Sequence, residues 1–500
     1  MIRLGRAAHQ PRGSRWVQSP IGVLSLIGST ILLLGACSAA LDQLSGPTTT
    51  DAPVPVAQSE GPSFVPLNRA VGFGLLRLMT LEERPNPRDV VIYQVLPNEL
   101  PRVAGVITTV GQTPLSHVNL RAVQDQVPNA VAARVLEDPT VTGLIGRYVK
   151  YTVADAGLTI EPATQAQVEA HFAALRPTQD QVPERDLSVR SITPLRDVGF
   201  ENWTAFGVKA ANVATLRRLD LPNVFVPDGS AVPFYYYDKF MTYNGLYERA
   251  QKMFNDTEFR SDPTVQDNKL AEFRDAIKGA PMPEWMTKDL TKLQRSFPSG
   301  TALRCRSSTN NEDLPNFSGA GLYDSFTQHP DEGPMTKCIK QVYASVWNLR
   351  AFLERDFNRI DHLQTAMGVL VYPHFKGEMA NGVAVSADPV YGTEQAFYVN
   401  TQLGSDLVTN PLAKSTPEEL LIYPDGEFAV VTHSNRVPPG DTVLTKAQIA
   451  LIQASLVTVH DRFAELYRVQ PGEKFAMEVE FKIRSDGTLA IKQARTWIFN

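Results

Sequence analysis

The run Phe475-Ala476-Met477-Glu478-Val479-Glu480-Phe481-Lys482-Ile483 is followed by Arg484-Ser485-Asp486-Gly487 and then by Thr488-Leu489-Ala490-Ile491-Lys492-Gln493-Ala494-Arg495. It reads as two strands joined by a tight turn, with Asp-Gly as the hairpin signal. If Asp486-Gly487 forms a two-residue turn, residues 485 and 488 pair. Glu480 then faces Gln493, and Glu478 faces Arg495. Side chains alternate across a strand, so these four share one face of the sheet. Two carboxylates beside an amide and a guanidinium make a platform for Mg²⁺ and a nucleotide, because magnesium takes few carboxylates and completes its shell with phosphate oxygens. The alternative is a cross-strand salt bridge that stabilises the hairpin and nothing more.

Three motifs upstream have the same flavour. In Phe206-Gly207-Val208-Lys209-Ala210-Ala211-Asn212-Val213 a glycine and a lysine open a helix. Such a start offers exposed backbone N–H groups and one mobile cation to phosphate. In Arg304-Cys305-Arg306-Ser307-Ser308, followed by Glu312-Asp313-Leu314-Pro315 and Gly319-Ala320-Gly321, an arginine ends a strand beside two hydroxyls and a glycine-rich loop. In Ala344-Ser345-Val346-Trp347-Asn348-Leu349-Arg350-Ala351, continuing to Arg355, two helical arginines lie five apart. Taken singly, the lysine reads more readily as merely solvated, the arginine loop equally well as a salt-bridged turn, and the helical arginines as an ordinary surface ion pair.

Together and in this order, the motifs resemble the ATP-grasp-type nucleotide-binding domain of the phosphoenolpyruvate synthase and pyruvate phosphate dikinase family. The resemblance covers about residues 195–500. It includes Asn381-Gly382-Val383, Asp388-Pro389 and Gly392, and the closing Glu480 and Gln493-Ala494-Arg495. It implies a two-lobed α+β domain that binds ATP and Mg²⁺. Lys209, Arg306 and Arg350 would hold phosphates, helped by Asn212, Ser307 and Arg495, while Glu480, Glu478 and Gln493 would hold metal and nucleotide. The family's Gly-Leu-Gly-Glu loop stands here as Gln402-Leu403-Gly404-Ser405-Asp406, so Ser405 replaces an acid and Asp406 beside it is the candidate ligand.

Toward the N-terminus, Gly105-Val106-Ile107-Thr108-Thr109 leads through Gly111-Gln112-Thr113-Pro114 to Leu115-Ser116-His117-Val118-Asn119-Leu120-Arg121-Ala122. A histidine at the tip of a strand–turn–helix is exposed and offers a nucleophilic nitrogen at neutral pH. A lone histidine is more often structural. This segment, however, resembles the swivelling phosphohistidine domain of the same family. Its Leu-Ser-His-Val-x-x-Arg-Ala form and the domain order resemble the C-terminal half of the glucan, water dikinases. The resemblance implies a β/β/α domain whose His117 takes phosphate from ATP, with Arg306 and Arg350 steadying the transferred charge. It also implies a swing of that domain to an acceptor. The acceptor is a small molecule or a glycan, of pyruvate or glucan type, or is presented by a partner protein.

Around these motifs, strands are expected at residues 89–96, 103–110 and 148–153, a helix at 163–175, and a polar linker at 176–190 with Pro177 and Pro183. The domain reading is a phosphohistidine-like domain at 62–160, a helix and linker at 161–192, and the nucleotide-binding domain at 193–500. Residues 1–36 carry four arginines and no acid, then an apolar run ending in Leu34-Gly35-Ala36-Cys37. This is a secretory signal, and a cysteine at that point resembles the lipobox of bacterial lipoproteins. Cys37 would carry the lipid anchor, residues 37–61 would be a tether, and the protein would sit on the cell envelope. The alternative, a single membrane span, asks for about 20 apolar residues, and this run is shorter and broken by glycine and serine.

Composition agrees with a large globular chain of about three domains. It has 500 residues, 43% of them hydrophobic and 20% charged, so fibrous and wholly disordered polymers are excluded. The net charge is −5, and because the leading segment holds four of the cations the remainder stands at −9. Nucleic acid is therefore not an expected partner. Besides Cys37 there are two cysteines, Cys305 and Cys338, expected as buried thiols, although sequence leaves a disulfide between them open.

Overall fold

The computed structural model describes residues 63–500 apart from 98–99, 115, 313, 315–316, 318, 320, 407, 409–414 and 498–500. The signal, the tether with Cys37, and also Leu115, Asp313 and Ala320 lie outside the described residues.

Residues 64–162 form one mixed sheet of seven strands: β1 (Phe64–Asn68), β2 (Val71–Met79), β3 (Asp89–Tyr93), β4 (Gly105–Thr108), β5 (Asn129–Ala132), β6 (Tyr148–Ala154) and β7 (Gly157–Pro162). Their order is β1-β5-β4-β3-β2-β6-β7, and β2 to β5 run parallel. Every residue of β3 and β4 is buried, as a central parallel strand covered on both faces requires. The connection from β4 to β5 carries the His117–Gln124 helix, whose N-terminus stands past the carboxyl end of β4. That is where open α/β sheets place their chemistry. The Gln165–Leu175 helix follows, started by a capping box between Thr164 and Gln167. It packs back on β2, with the Phe73 and His171 rings 4.9 Å apart.

The remaining strands are β8 (Thr193–Pro194), β9 (Val224–Phe225), β10 (Ser230–Val232), β11 (Leu303–Thr309), β12 (Phe326–Gln328), β13 (Met367–Pro373), β14 (Ala380–Val385), β15 (Phe397–Leu403), β16 (Glu418–Ile422), β17 (Phe428–Thr432), β18 (Met477–Ile483) and β19 (Leu489–Thr496). They build two sheets, ordered β12-β11-β13-β10-β8 and β17-β16-β15-β14-β18-β19-β9. The first lies against a helical layer whose core includes Phe240, Phe273, Tyr343 and Trp347, and the second under the 22-residue Lys446–Tyr467 helix. This is the two-lobed, ATP-grasp-like α+β arrangement that the resemblance implies.

The Val208–Leu216 helix ties the two lobes together. At its start the Ala210 N–H donates to Ser308 Oγ on β11 at 3.0 Å, and two residues later Asn212 Nδ2 donates to the Ala494 carbonyl on β19 at 3.1 Å. Gly207 precedes this helix at φ +85°, and a Cβ there would overlap the Ser308 carbonyl. Glycine is required at this junction on both counts.

Two expectations need correction. The hairpin turn holds three residues rather than two: the Arg484 N–H donates to the Thr488 carbonyl, and Ile483 pairs with Leu489. A bulge at Lys492 then restores the expected pairs Glu480–Gln493 and Glu478–Arg495. The extra residue of the turn is cancelled by the extra residue of the strand. Residues 176–186 are not a free linker. The Gln181 N–H donates to the Arg359 carbonyl and the Asp361 N–H to the Gln181 carbonyl, both at 2.9 Å, so this segment is strapped along the nucleotide-binding domain.

Candidate functional site

The candidate residues stand on β11, on the β18–β19 hairpin and on the helices that begin at Val208, Leu349 and His117. On β11 the side chains alternate, so Arg304, Arg306 and Ser308 point one way while Cys305 and Ser307 point the other. Arg306 reaches from its lobe to the opposite hairpin. Its Nη2 donates to Gln493 Oε1 and to Glu480 Oε2 (3.4 Å), and its Nη1 to the Lys492 carbonyl (3.4 Å). Ser307 is fully buried and its hydroxyl donates to the Tyr323 carbonyl at 3.4 Å. Its neighbour Ser308 is the hydroxyl on the arginine face.

The hairpin supplies the acids. Glu480 pairs with Lys492 at 3.1 Å as well as with Arg306. Burial alone would raise its pKa, but Lys492, Arg306 and Arg495 hold the carboxyl well below the usual carboxylate range. Glu478 is buried against Arg495, with Nε at 2.9 Å and Nη2 at 2.6 Å, and there burial wins and its pKa is raised. Lys209, in the first turn of its helix, forms an ion pair with Glu312. Asn212 is buried, with its amide spent on Ala494. Arg350 stands in the first turn of the Leu349–Phe357 helix, against the glycine-rich loop, where a Cβ on Gly321 would come within 3.3 Å of its guanidinium. Arg355 departs from the surface ion pairing expected of it. It is fully buried, donating to Val346 O at 2.7 Å, His362 Nδ1 at 3.1 Å and Tyr323 OH at 3.3 Å, because its side chain faces into the helical layer beside Trp347.

His117 is the first residue of its helix, and Ser116 caps that helix by accepting the Asn119 N–H at 3.1 Å. The imidazole keeps contact with solvent, yet both domains crowd around it, and it feels the charges of Arg350, Arg495 and Glu480. Crowding first, then the two arginines, push its pKa from 6.5 down to about 4. It is therefore neutral at physiological pH. A cleft of about 390 Å³ is bordered by Tyr93 and Pro101 from the N-terminal sheet region and by Gly321, Asn348 and Arg350.

Among the described residues no group of three or more His, Cys, Asp or Glu side chains could cage a metal. Magnesium does not need one: one or two carboxylates plus phosphate oxygens are its usual set. Glu480, ionised throughout, next to the Gln493 carbonyl oxygen, fits that requirement, and Glu478 stands behind them on the same strand. Asp406 is engaged elsewhere, with Arg436 at 3.1 Å and Ser415 Oγ at 3.4 Å.

Sequence reasoning missed Lys492, Glu354, Arg102 and Asp125. Lys492 sits at a bulge that no pattern in the hairpin announces. Of the other three, Arg102 and Asp125 pair with each other 23 residues apart, and Glu354 joins Arg102 from 252 residues away. Cys305 and Cys338 are both free and buried, as expected.

Residues 204–497 match the family described as pyruvate phosphate dikinase, AMP/ATP-binding domain. A probable phosphoenolpyruvate synthase of Staphylothermus marinus is 28% identical over 242 residues, covering 47% of this chain and 28% of that protein. One of Methanothermobacter thermautotrophicus is 25% identical over 300 residues, covering 56% and 43%. A rifampicin phosphotransferase of a Streptomyces species is 26% identical over 222 residues, covering 44% and 25%. The matched part is thus less than half the length of each of these relatives.

Proposed function

This chain belongs to the pyruvate phosphate dikinase AMP/ATP-binding domain family, and on that premise we propose that it is an ATP-dependent phosphotransferase of dikinase type, with His117 as the residue that receives phosphate. The observation that carries this reading is the place of His117: neutral, at a helix N-terminus, and facing Arg350, Arg495 and Glu480 across the domain boundary.

ATP would lie between the two sheets with its phosphates toward Lys209, Arg306 and Arg350. The His117 nitrogen attacks the β-phosphorus, the bond to the AMP oxygen breaks, and AMP leaves. The β and γ phosphoryl groups stay on the imidazole, and hydrolysis of the terminal one leaves phosphohistidine and inorganic phosphate. Arg306, Arg350 and Arg495 stabilise the charge that develops on the phosphoryl oxygens, and the helix N-terminus supports the product phosphate. Glu480 and Gln493, with Glu478 behind them, would hold Mg²⁺, whose contribution when bound is to neutralise and orient the phosphates.

The phosphohistidine domain would then carry the group to a small-molecule or glycan acceptor, of pyruvate or glucan type, or to a site on a partner protein. The leader ending at Cys37 supports a lipid-anchored place on the cell envelope. A catalytically silent nucleotide-binding module there is the second reading, favoured by Ser405 in the acid's position and by Asp406 being engaged with Arg436.

Incubation with β-labelled ATP and Mg²⁺ separates the two. The enzyme reading expects acid-labile label on the wild type and none on His117→Ala, with Mg·ATP binding kept. Label that survives in His117→Ala would end it, and Mg·ATP binding without any label favours the silent module. AMP release measured with pyruvate, with a glucan and with added partner proteins then sorts the acceptors.

A further inference from the structure

The interface between the phosphohistidine-like domain and the nucleotide-binding domain contains four charged side chains, each at most 7% exposed: Arg102, Arg121 and Asp125 on one side, Glu354 on the other. Arg102 Nη2 lies 2.9 Å from Asp125 and 3.0 Å from Glu354. Arg121 pairs with Asp125 at 3.2 Å and with Glu354. The Arg102 guanidinium also stacks 3.7 Å over the Phe357 ring. Burial works against the Glu354 carboxylate, but Arg102 and Arg121 hold its pKa below the ordinary value, so it is ionised.

The spacing on the two helices is matched. His117 and Arg121 lie four apart on one helix, and Arg350 and Glu354 lie four apart on the other. Residues four apart stand one above the other on a helix face. The two helices therefore meet in two rungs, His117 near Arg350 and Arg121 against Glu354. A slip of one turn, about 5.4 Å, would set Arg121 against Arg350 and leave Glu354 buried without a cation, which is strongly unfavourable.

We propose that Arg121 and Glu354 are positioning residues whose ion pair sets the one register of these two helices in which His117 faces Arg350. The register follows from the geometry alone; its purpose rests on the phosphohistidine reading. The quartet is charge-balanced only when the domains are together. On separation one face keeps a net positive charge and the other Glu354, and both are hydrated, so the pair gives specificity of docking while remaining reversible.

The test uses the full chain with Cys37→Ser, spin-labelled at Glu161→Cys and Glu284→Cys, two exposed positions on the two domains. Pulsed electron–electron resonance should give a single narrow distance. In Glu354→Gln, which keeps the side-chain shape, it should gain a population at longer distance, and the rate of label transfer from β-labelled ATP should fall at least tenfold, with Mg·ATP affinity unchanged within twofold. Glu354→Asp, which keeps a carboxylate facing Arg102 and Arg121, should return most of the narrow distribution. An unchanged single distance in Glu354→Gln overturns the proposal, as does a Glu354→Asp distribution as broad as that of Glu354→Gln. The distances need no activity, so a chain that never labels His117 yet shows this pattern refutes the phosphotransfer reading and leaves the docking register standing.

Discussion

At His117 three influences act in one direction. Crowding by the two domains partly desolvates the ring, which still touches solvent, and Arg350 and Arg495 add positive charge; only Glu480 opposes them. A titration of the ring carbons by NMR, assigned with His117→Ala, is expected to show a midpoint near 4; a midpoint at the ordinary 6.5 would mean that the docked arrangement is not populated in solution. Between pH 6.5 and about 4 the unfolded chain holds a proton on this histidine and the folded one does not. The contribution of His117 to stability is thus complete above 6.5 and declines as pH falls toward 4. Arg306 gives a second residue-scale expectation. Its guanidinium spans Gln493, Glu480 and the Lys492 carbonyl, and a lysine, with one point of charge, cannot span all three. Arg306→Lys should weaken Mg·ATP binding by roughly tenfold, about 1.4 kcal/mol, measured by calorimetry, with little change in melting temperature. Unchanged affinity would remove Arg306 from the nucleotide site.

At the scale of the element, the Val208–Leu216 helix depends on the single residue before it. Gly207→Ala forces a side chain into φ +85° and against the Ser308 carbonyl. The cost should be about 1–3 kcal/mol, read as a lower denaturation midpoint at unchanged slope. A variant as stable as the parent would show that the helix start can shift. Elements also mark how far sequence carries. The pairs Glu480–Gln493 and Glu478–Arg495 were legible because strand alternation and the Asp-Gly turn place all four on one face. They survive the three-residue turn only because Lys492 bulges, and the local sequence carries no sign of either. His117, Lys209 and Arg306 were legible because each sits in a short contiguous motif. Ser307 looked like a phosphate ligand from its motif, but strand alternation turns it toward Cys305 and leaves Ser308 on the side of Arg306. Arg355 and Glu354 were illegible for another reason. The face on which a helical charge lies depends on what packs there, and for Glu354 that partner is a domain more than 200 residues earlier.

For the whole molecule, the segment between the sheet of residues 64–162 and the nucleotide-binding domain decides where the chain can bend. The Arg176 side chain donates to the carbonyls of Asp356 (2.9 Å) and Phe357 (3.3 Å). Gln181 is bridged to Arg359 and Asp361, Asp180 pairs with Arg359 at 2.7 Å, and the Glu184 carbonyl accepts from Asn310 at 3.0 Å. A segment held at this many points is a strap rather than a flexible tether. While it stays bound, a moving body would be residues 63–175, with its pivot at the end of the Gln165–Leu175 helix. That end lies against Phe357, three residues beyond Glu354, with Phe172 and Phe357 ring centroids 5.0 Å apart. Gln181→Pro tests whether the strap holds. Proline removes the N–H that Arg359 accepts, so trypsin should cut after Arg185 several-fold faster than in the parent. Equal cleavage rates would mean that the segment already leaves its groove freely, and the pivot would then have to be sought nearer residue 190.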